Sequence, residues 1–276
     1  MNKSLTRGFT LLEAVLTIII TGILAGIVAV FIKAPVDSYA DTVRRANLTD
    51  AADSALRRIS RDIHAALPNS LRSEEGPISN NCVEFLPVVG GGRYRVAPSF
   101  TGTGDILSFS AVDNSFDVLA ATNLPDFSSG AIYHAVIYNL GILGANAYDA
   151  SGLKPIRAAI KSTASSSNIE LDGPNQFPFE SPGKRFQVIP NYSVVYSCDT
   201  VSHELIRTTR AITSVQLPSC PESGEGDVLV SNVSTCSFIY TPAVSQRNGL
   251  LTMRLGLEKS GESIQLYQEV HVNNVP

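Results

Sequence analysis

Charge is scarce in this chain. Asp, Glu, Lys and Arg make up 17% of it, against roughly 25% in an average globular protein. The apolar surplus is uneven, and most of it lies between residues 9 and 32. No Lys/Arg stripe runs through the remainder. The 21 basic residues are outnumbered by 25 acidic ones, for a net charge of −4 over 276 residues. A mildly acidic chain of this kind argues against nucleic-acid binding as its main task.

Catalytic and metal-binding patterns are missing as well. The four histidines, His64, His134, His203 and His271, are scattered, and no two cysteines have C-x-x-C spacing. Zinc is therefore a poor reading. There is no G-x-S-x-G elbow. The triglycine at 90–92 lacks the strand–Lys–helix setting of a phosphate loop and reads as a turn. Asp199, His203 and Glu204, in C-D-T-V-S-H-E-L, read as a polar hairpin turn rather than a site. The expectation is a chain that is not an enzyme and takes no cofactor or metal.

What is present begins at the amino terminus. Residues 1–8, MNKSLTRG, are short, polar and basic. Residues 9–32 are almost wholly apolar, and no A-x-A-like cleavage site follows them, as an ordinary secretory signal would require. The apolar stretch is thus expected to stay with the mature protein. Residues 14–32 carry no charge. As a helix they reach about 28 Å, close to the ~30 Å hydrocarbon core of a bilayer. Glu13 then sits at one edge of that core. A carboxylate there is tolerable in a membrane but costly in a dry helical bundle unless it is paired. Lys3 and Arg7 suit a cytoplasmic amino terminus, while Lys33, Arg44 and Arg45 blunt that signal.

The helical signal continues. Leu48, Ala51, Ala52, Ala55, Leu56, Ile59, Ile63 and Ala66 recur at the spacing of one helix face, with Arg57, Arg58, Arg61 and Asp62 largely on the other side. Pro68 is expected to end the helix. Pro35 predicts a kink or local melt around residues 31–35, since it lacks an N–H donor. After residue 70 the pattern shifts to short apolar runs punctuated by Gly, Pro, Ser and Asn, the mark of a sheet protein. Strands are expected at 82–88, 106–109, 131–139, 185–189, 193–198, 204–208, 235–240, 250–257 and 264–272. The last two should form an antiparallel hairpin with one wet and one packed face. Residues 90–92 and 162–182 read as loops. One globular body of about 200 residues is expected beyond the helix.

The four cysteines, Cys82, Cys198, Cys220 and Cys236, are an even count beyond an apolar segment, which suits disulfides in an oxidising compartment. Three pairings are open. Cys220 and Cys236 enclose a loose Gly/Ser/Glu-rich segment that a staple would steady. Cys82 and Cys198 lie at ends of two expected strands. The pairing favoured on those grounds is Cys82–Cys198 with Cys220–Cys236.

The run R-G-F-T-L-L-E at residues 7–13 resembles the class III leader of type IV pilins and type II secretion pseudopilins. The resemblance implies a fold and a maturation path. A prepilin peptidase would cut between Gly8 and Phe9 and N-methylate Phe9. Glu13 would become the acidic residue near the new terminus that pairs with a neighbour's amino group during assembly. Removal of Lys3 and Arg7 would leave 19 basic and 25 acidic residues, a net −6. The implied fold is α+β: a long helix, transmembrane over 9–32 and amphipathic over 33–68, on a β-rich, mainly antiparallel body over 69–276. Further blocks, including A-L-R-R-I-S-R-D-I-H-A-A-L-P-N-S-L-R at 55–72, V-V-Y-S-C at 194–198 and V-H-V-N-N-V-P at 270–276, are similar to the MshO-type biogenesis proteins of the mannose-sensitive haemagglutinin (MSHA) pilus. They imply a scarce subunit that primes or caps the filament. Its partners would be other minor pilins and the major pilin, met through the helix, with the inner membrane as first anchor and the body in the periplasm. The alternatives are a J-type minor pseudopilin of type II secretion, or a pilus-tip adhesin using the 162–182 region.

Overall fold

A computed structural model describes residues 8–73, 81–216, 219–222, 224–242 and 248–276. The expected leader lies outside the described residues except for Gly8. One helix, α1 (Leu11–His64), spans 54 residues, or about 81 Å at 1.5 Å per residue. The expected melt at Pro35 does not occur, because α1 is unbroken there. Proline withdraws one donor from the ladder, and the bonds on either side of it hold the helix together. The helix also stops before Pro68. Leu67 is disfavoured in the helical region by the proline that follows it, and the chain turns extended. Leu67 N–H donates to Leu86 C=O at 2.8 Å and Val88 N–H to Ala65 C=O at 2.9 Å.

Fourteen strands follow among the described residues. They are β1 (Arg72–Ser73), β2 (Cys82–Phe85), β3 (Gly90–Tyr94), β4 (Asp113–Thr122) and β5 (Tyr133–Val136). Next come β6 (Arg157–Ala159), β7 (Asn168–Asn175), β8 (Arg185–Pro190), β9 (Ser193–Asp199) and β10 (Glu204–Arg210). The last are β11 (Asp227–Ser231), β12 (Val233–Thr241), β13 (Gly249–Lys259) and β14 (Glu262–Val272). They form three sheets, ordered β1-β2-β9-β10-β11, β12-β13-β14 and β6-β5-β8-β3-β4-β7. Each ladder between these strands is antiparallel. A long apolar helix on antiparallel sheets makes the chain α+β.

The second half of α1 packs where the first and second of these sheets face each other. Leu48, Ala52, Ala55, Leu56, Ile59 and Ile63 are buried in one cluster with Phe85 and Tyr196 of one sheet and Phe238, Leu251, Met253 and Leu255 of the other. The stripe read from the helical spacing is therefore the packed face. Burial of each large aliphatic side chain contributes roughly 1.5–3 kcal/mol. Polar contacts fix the seat. Gln268 Nε2 donates to Ser60 Oγ at 2.8 Å, and the Tyr196 hydroxyl donates to Asp62 at 2.5 Å. The β13–β14 hairpin has the expected alternation. Lys259 faces Glu262 across a two-residue turn, in which Ser260 and Gly261 both have positive φ, as a hairpin turn of the primed type requires.

The third sheet rolls up. Its outer strands meet through an Ile160–Leu171 bridge, with Lys161 N–H donating to Glu170 C=O at 2.9 Å. Its core holds Tyr94, Phe116, Phe127, Phe177 and Phe186. A smaller cluster, including Leu67, Leu86, Val136, Tyr148 and Ile189, joins this barrel to the end of α1.

Several expectations are corrected here. The triglycine at 90–92 is strand β3, not a turn. Side chains are excluded there by crowding: a Cβ on Gly90 would lie 2.4 Å from the Asn123 carbonyl oxygen, and one on Gly92 would lie 2.4 Å from that of Ala120. Residues 106–109 are not a strand, although Leu107 is buried in the barrel core. The expected loop at 162–182 contains β7, which buries Ile169 and Leu171 on alternate positions.

The favoured disulfide pairing is also overturned. The bonds are Cys82–Cys220 and Cys198–Cys236, with Cα–Cα distances of 5.6 and 5.9 Å. Cys82 lies opposite Ser197 in the β2–β9 register. Successive side chains alternate between faces, so Cys198 points away from Cys82. Cys198 faces the helix side and reaches Cys236 of the opposing sheet, while Cys82 turns to the outer face with Val195 and Cys220.

Candidate functional site

The residues singled out at the amino terminus fall within the first turn of α1 and the residues just before it. Gly8, Phe9 and Thr10 precede the helix, Thr10 with extended backbone, and Phe9 is exposed. Thr10 is the helix cap. Its hydroxyl accepts from the Glu13 N–H at 3.3 Å, and its carbonyl accepts from Glu13 and Ala14 at 3.1 Å. The run Thr10-Leu11-Leu12-Glu13 thus has the spacing of a capping box. Thr10 was missed in the sequence reading, although the T-x-x-E pattern was there to find. A carboxylate in the first turn also suits the positive end of the helix dipole. Glu13 is exposed on this turn, with its nearest neighbours Leu12 and Ala14 apolar.

From Leu11 to Asn47 no described side chain of α1 is buried. The exposed ones include Ile18, Ile23, Leu24, Val30 and Phe31. Such a surface in water would be strongly unfavourable at about 25 cal/mol per Å² of apolar area, so the segment needs a lipid or protein environment. α1 is long and apolar enough to cross a membrane, and none of its apolar window is buried within the chain. The site is thus a capped, acidic-tipped apolar rod that the described residues of the chain leave uncovered.

The other sequence candidates lie elsewhere. Asp199 and His203 belong to the turn joining β9 to β10. Asp199 accepts from the Val201 and Ser202 N–H groups, and His203 Nδ1 lies 2.9 Å from Val233 C=O. Among the described residues no three His, Cys, Asp or Glu side chains gather as a metal site.

One buried charge cluster was not foreseen. Glu84 on β2 has no solvent exposure, and it accepts from Arg72 at 2.8 Å and from the Ser193 hydroxyl at 2.5 Å. Arg210 stands 3.7 Å away. The Arg72 guanidinium stacks 3.5 Å over the Tyr148 ring and donates to the carbonyls of Thr213, Ser214 and Val215. Burial pushes the Tyr148 hydroxyl well above its ordinary pKa, and Glu84 adds to the effect. Arg72, Glu84, Ser193 and Arg210 stand on β1, β2, β9 and β10 of one sheet, so the cluster works as a joint across that sheet and, through Tyr148, to the segment after β5. The similarly raised Tyr196, shifted mainly by burial and then by Asp62, holds the helix.

No family model, curated protein or solved structure matches this chain.

Proposed function

We propose that this chain is a minor pilin-like subunit of a type IV pilus assembly system of the MSHA type, and that it primes or caps the filament. The observation that carries the reading is the apolar half of α1, left uncovered by the described residues, preceded by Gly8–Phe9 and tipped by Glu13 in its first turn. In this account a prepilin peptidase removes residues 1–8 and methylates Phe9. The helix first anchors the subunit in the inner membrane, with the body in the periplasm. It then moves from lipid into a bundle of equivalent helices, and no hydrophobic gain separates those two apolar settings. The specific attraction comes from charge. Glu13 pairs with the amino group of Phe9 on a neighbouring subunit, which relieves two buried charges and sets the axial register.

The mechanism is physical rather than catalytic. Minor subunits associate through their helices, form a short stretch of filament geometry, and lower the nucleation barrier for the major pilin. A body of this size suits an end position, where lateral packing around every turn is not needed.

The test is a Glu13→Ala chain expressed with the peptidase and the assembly machinery. The variant should still be cleaved and remain in the membrane, yet be depleted at least about tenfold from sheared filaments, the effect of losing one charge pair. Deleting the chain should reduce filament number more than filament length. A normal filament count would sink the priming role.

A further inference from the structure

One face of the barrel carries a charge conflict that no ion pair among the described residues relieves. Arg93 of β3 and Arg185 of β8 stand directly opposite each other in the antiparallel register. Opposed residues project to the same side with Cβ atoms roughly 5 Å apart, and like charges so placed are destabilising. Both side chains are exposed. Among the described residues neither meets a carboxylate. Their near neighbours in sequence differ, since Arg95 pairs with Asp117 at 3.0 Å and Lys184 with Glu180.

This pair edges an open cleft of about 570 Å³ between the barrel and the end of α1. Among the described residues no Asp or Glu lines it, in a chain whose acids outnumber its bases. The carboxyl end of a helix would by itself repel an anion, but Arg61 and His64 occupy the last turn of α1. The triglycine leaves the floor as bare backbone. A Cβ on Gly91 would meet the Phe186 carbonyl oxygen at 2.6 Å, so no side chain fills that space. Gln187, on the same barrel face as the two arginines, also lines the cleft. Its buried Oε1 has no hydrogen-bond partner among the described residues. An acceptor left in that state calls for a donor, and an anion alone supplies none.

We propose that this cleft binds a hydroxylated organic oxyanion of about monosaccharide size. A carboxylate or phosphate sits between Arg93 and Arg185, whose guanidinium forks match its geometry, and a ligand hydroxyl donates to Gln187. The volume suits such a body, since ligand pockets span roughly 300–1,000 Å³. Occupancy neutralises the opposed charges. The proposal is independent of the filament reading, because none of these residues lies on the apolar half of α1.

Calorimetric titration of the full chain in a neutral polyoxyethylene detergent tests it. The probes are glucuronate, glucose 6-phosphate, inorganic phosphate and glucose. The two acidic sugars should bind with Kd of about 1 mM or tighter, and more tightly than inorganic phosphate, which offers no sugar hydroxyl to Gln187. Glucose should not bind. Arg93→Ser and Arg185→Ser should each weaken the acidic sugars at least about tenfold. Free of ligand, each variant should melt about 1–2 °C higher as the repulsion is lifted. Glucose binding as well as its acids, unchanged binding when Arg93→Ser and Arg185→Ser are combined, or no binding of either acidic sugar would overturn the site. A lower melting temperature would show that the arginines serve the fold, and would overturn it too.

Discussion

Cys82 and Cys198 sit beside each other on paired strands, yet their side chains leave the sheet on opposite faces. Cys82 is in register with Ser197, and the Cys198 N–H donates to Asn81 C=O at 2.8 Å. The one-residue offset sends Cys198 inward to Cys236 and Cys82 outward to Cys220.

Non-reducing peptide mapping should therefore recover Cys82 linked to Cys220 and Cys198 linked to Cys236. The bonds span sequence separations of 138 and 38. In the chain-entropy model loops of such lengths are worth about 4–5 kcal/mol, and native disulfides are commonly worth 2–5 kcal/mol. Cys198→Ser with Cys236→Ser should lower stability within that range, read as a shift in denaturant midpoint. Recovery of a Cys82–Cys198 peptide would contradict the register.

Ile59→Ala should destabilise the chain by about 2–5 kcal/mol, because Ile59 is fully buried and the rigid sheets around it cannot close the cavity. Ile18→Ala, on the exposed half of the same helix, should stay within about 0.5 kcal/mol. Denaturant unfolding in detergent checks both. Equal effects would mean that the two halves of α1 are not packed as described.

Glu84→Ala should cost about 3–5 kcal/mol, since it strands Arg72 and Arg210 near a buried surface. Asp53→Ala breaks the exposed pair with Arg57 and should cost less than about 1 kcal/mol. The contrast in unfolding midpoints reads the difference between a joint and a decoration.

Stability should fall on acidification in two windows. Burial holds His134 below the ordinary histidine range. Its contribution is complete above about pH 6.5 and declines below that, because the unfolded chain takes up the proton first. Asp117 is held below the carboxylate range, first by the Asp105 N–H, with Asn168 and Arg95 also contributing. Its share is complete above about pH 3.9 and is lost as pH falls through the lower folded value. His134→Gln should flatten the upper window and Asp117→Asn the lower one, each read from melting temperature against pH.

What was legible in the sequence followed periodicity. The helical stripe from Leu48 to Ile63 and the β13–β14 hairpin were visible because one buried face imposes a strict spacing. β7 was hidden, since only Ile169 and Leu171 alternate before Gly173 and Pro174 interrupt. β3 was hidden because its glycines answer to neighbouring backbones, which no local pattern records. Disulfide partners depend on strand register and sheet stacking, so nearness in sequence misled. At the amino terminus Gly8, Phe9 and Glu13 were singled out by a motif resemblance, whereas Thr10 needed the cap geometry to stand out.

The most direct measurement is the intact mass and amino-terminal sequence of the chain recovered from membranes of cells that also make a prepilin peptidase. The account predicts a chain beginning at N-methylated Phe9, and uncut precursor for Gly8→Ala. A product that keeps residues 1–8, or one that begins beyond the apolar half of α1, would contradict it.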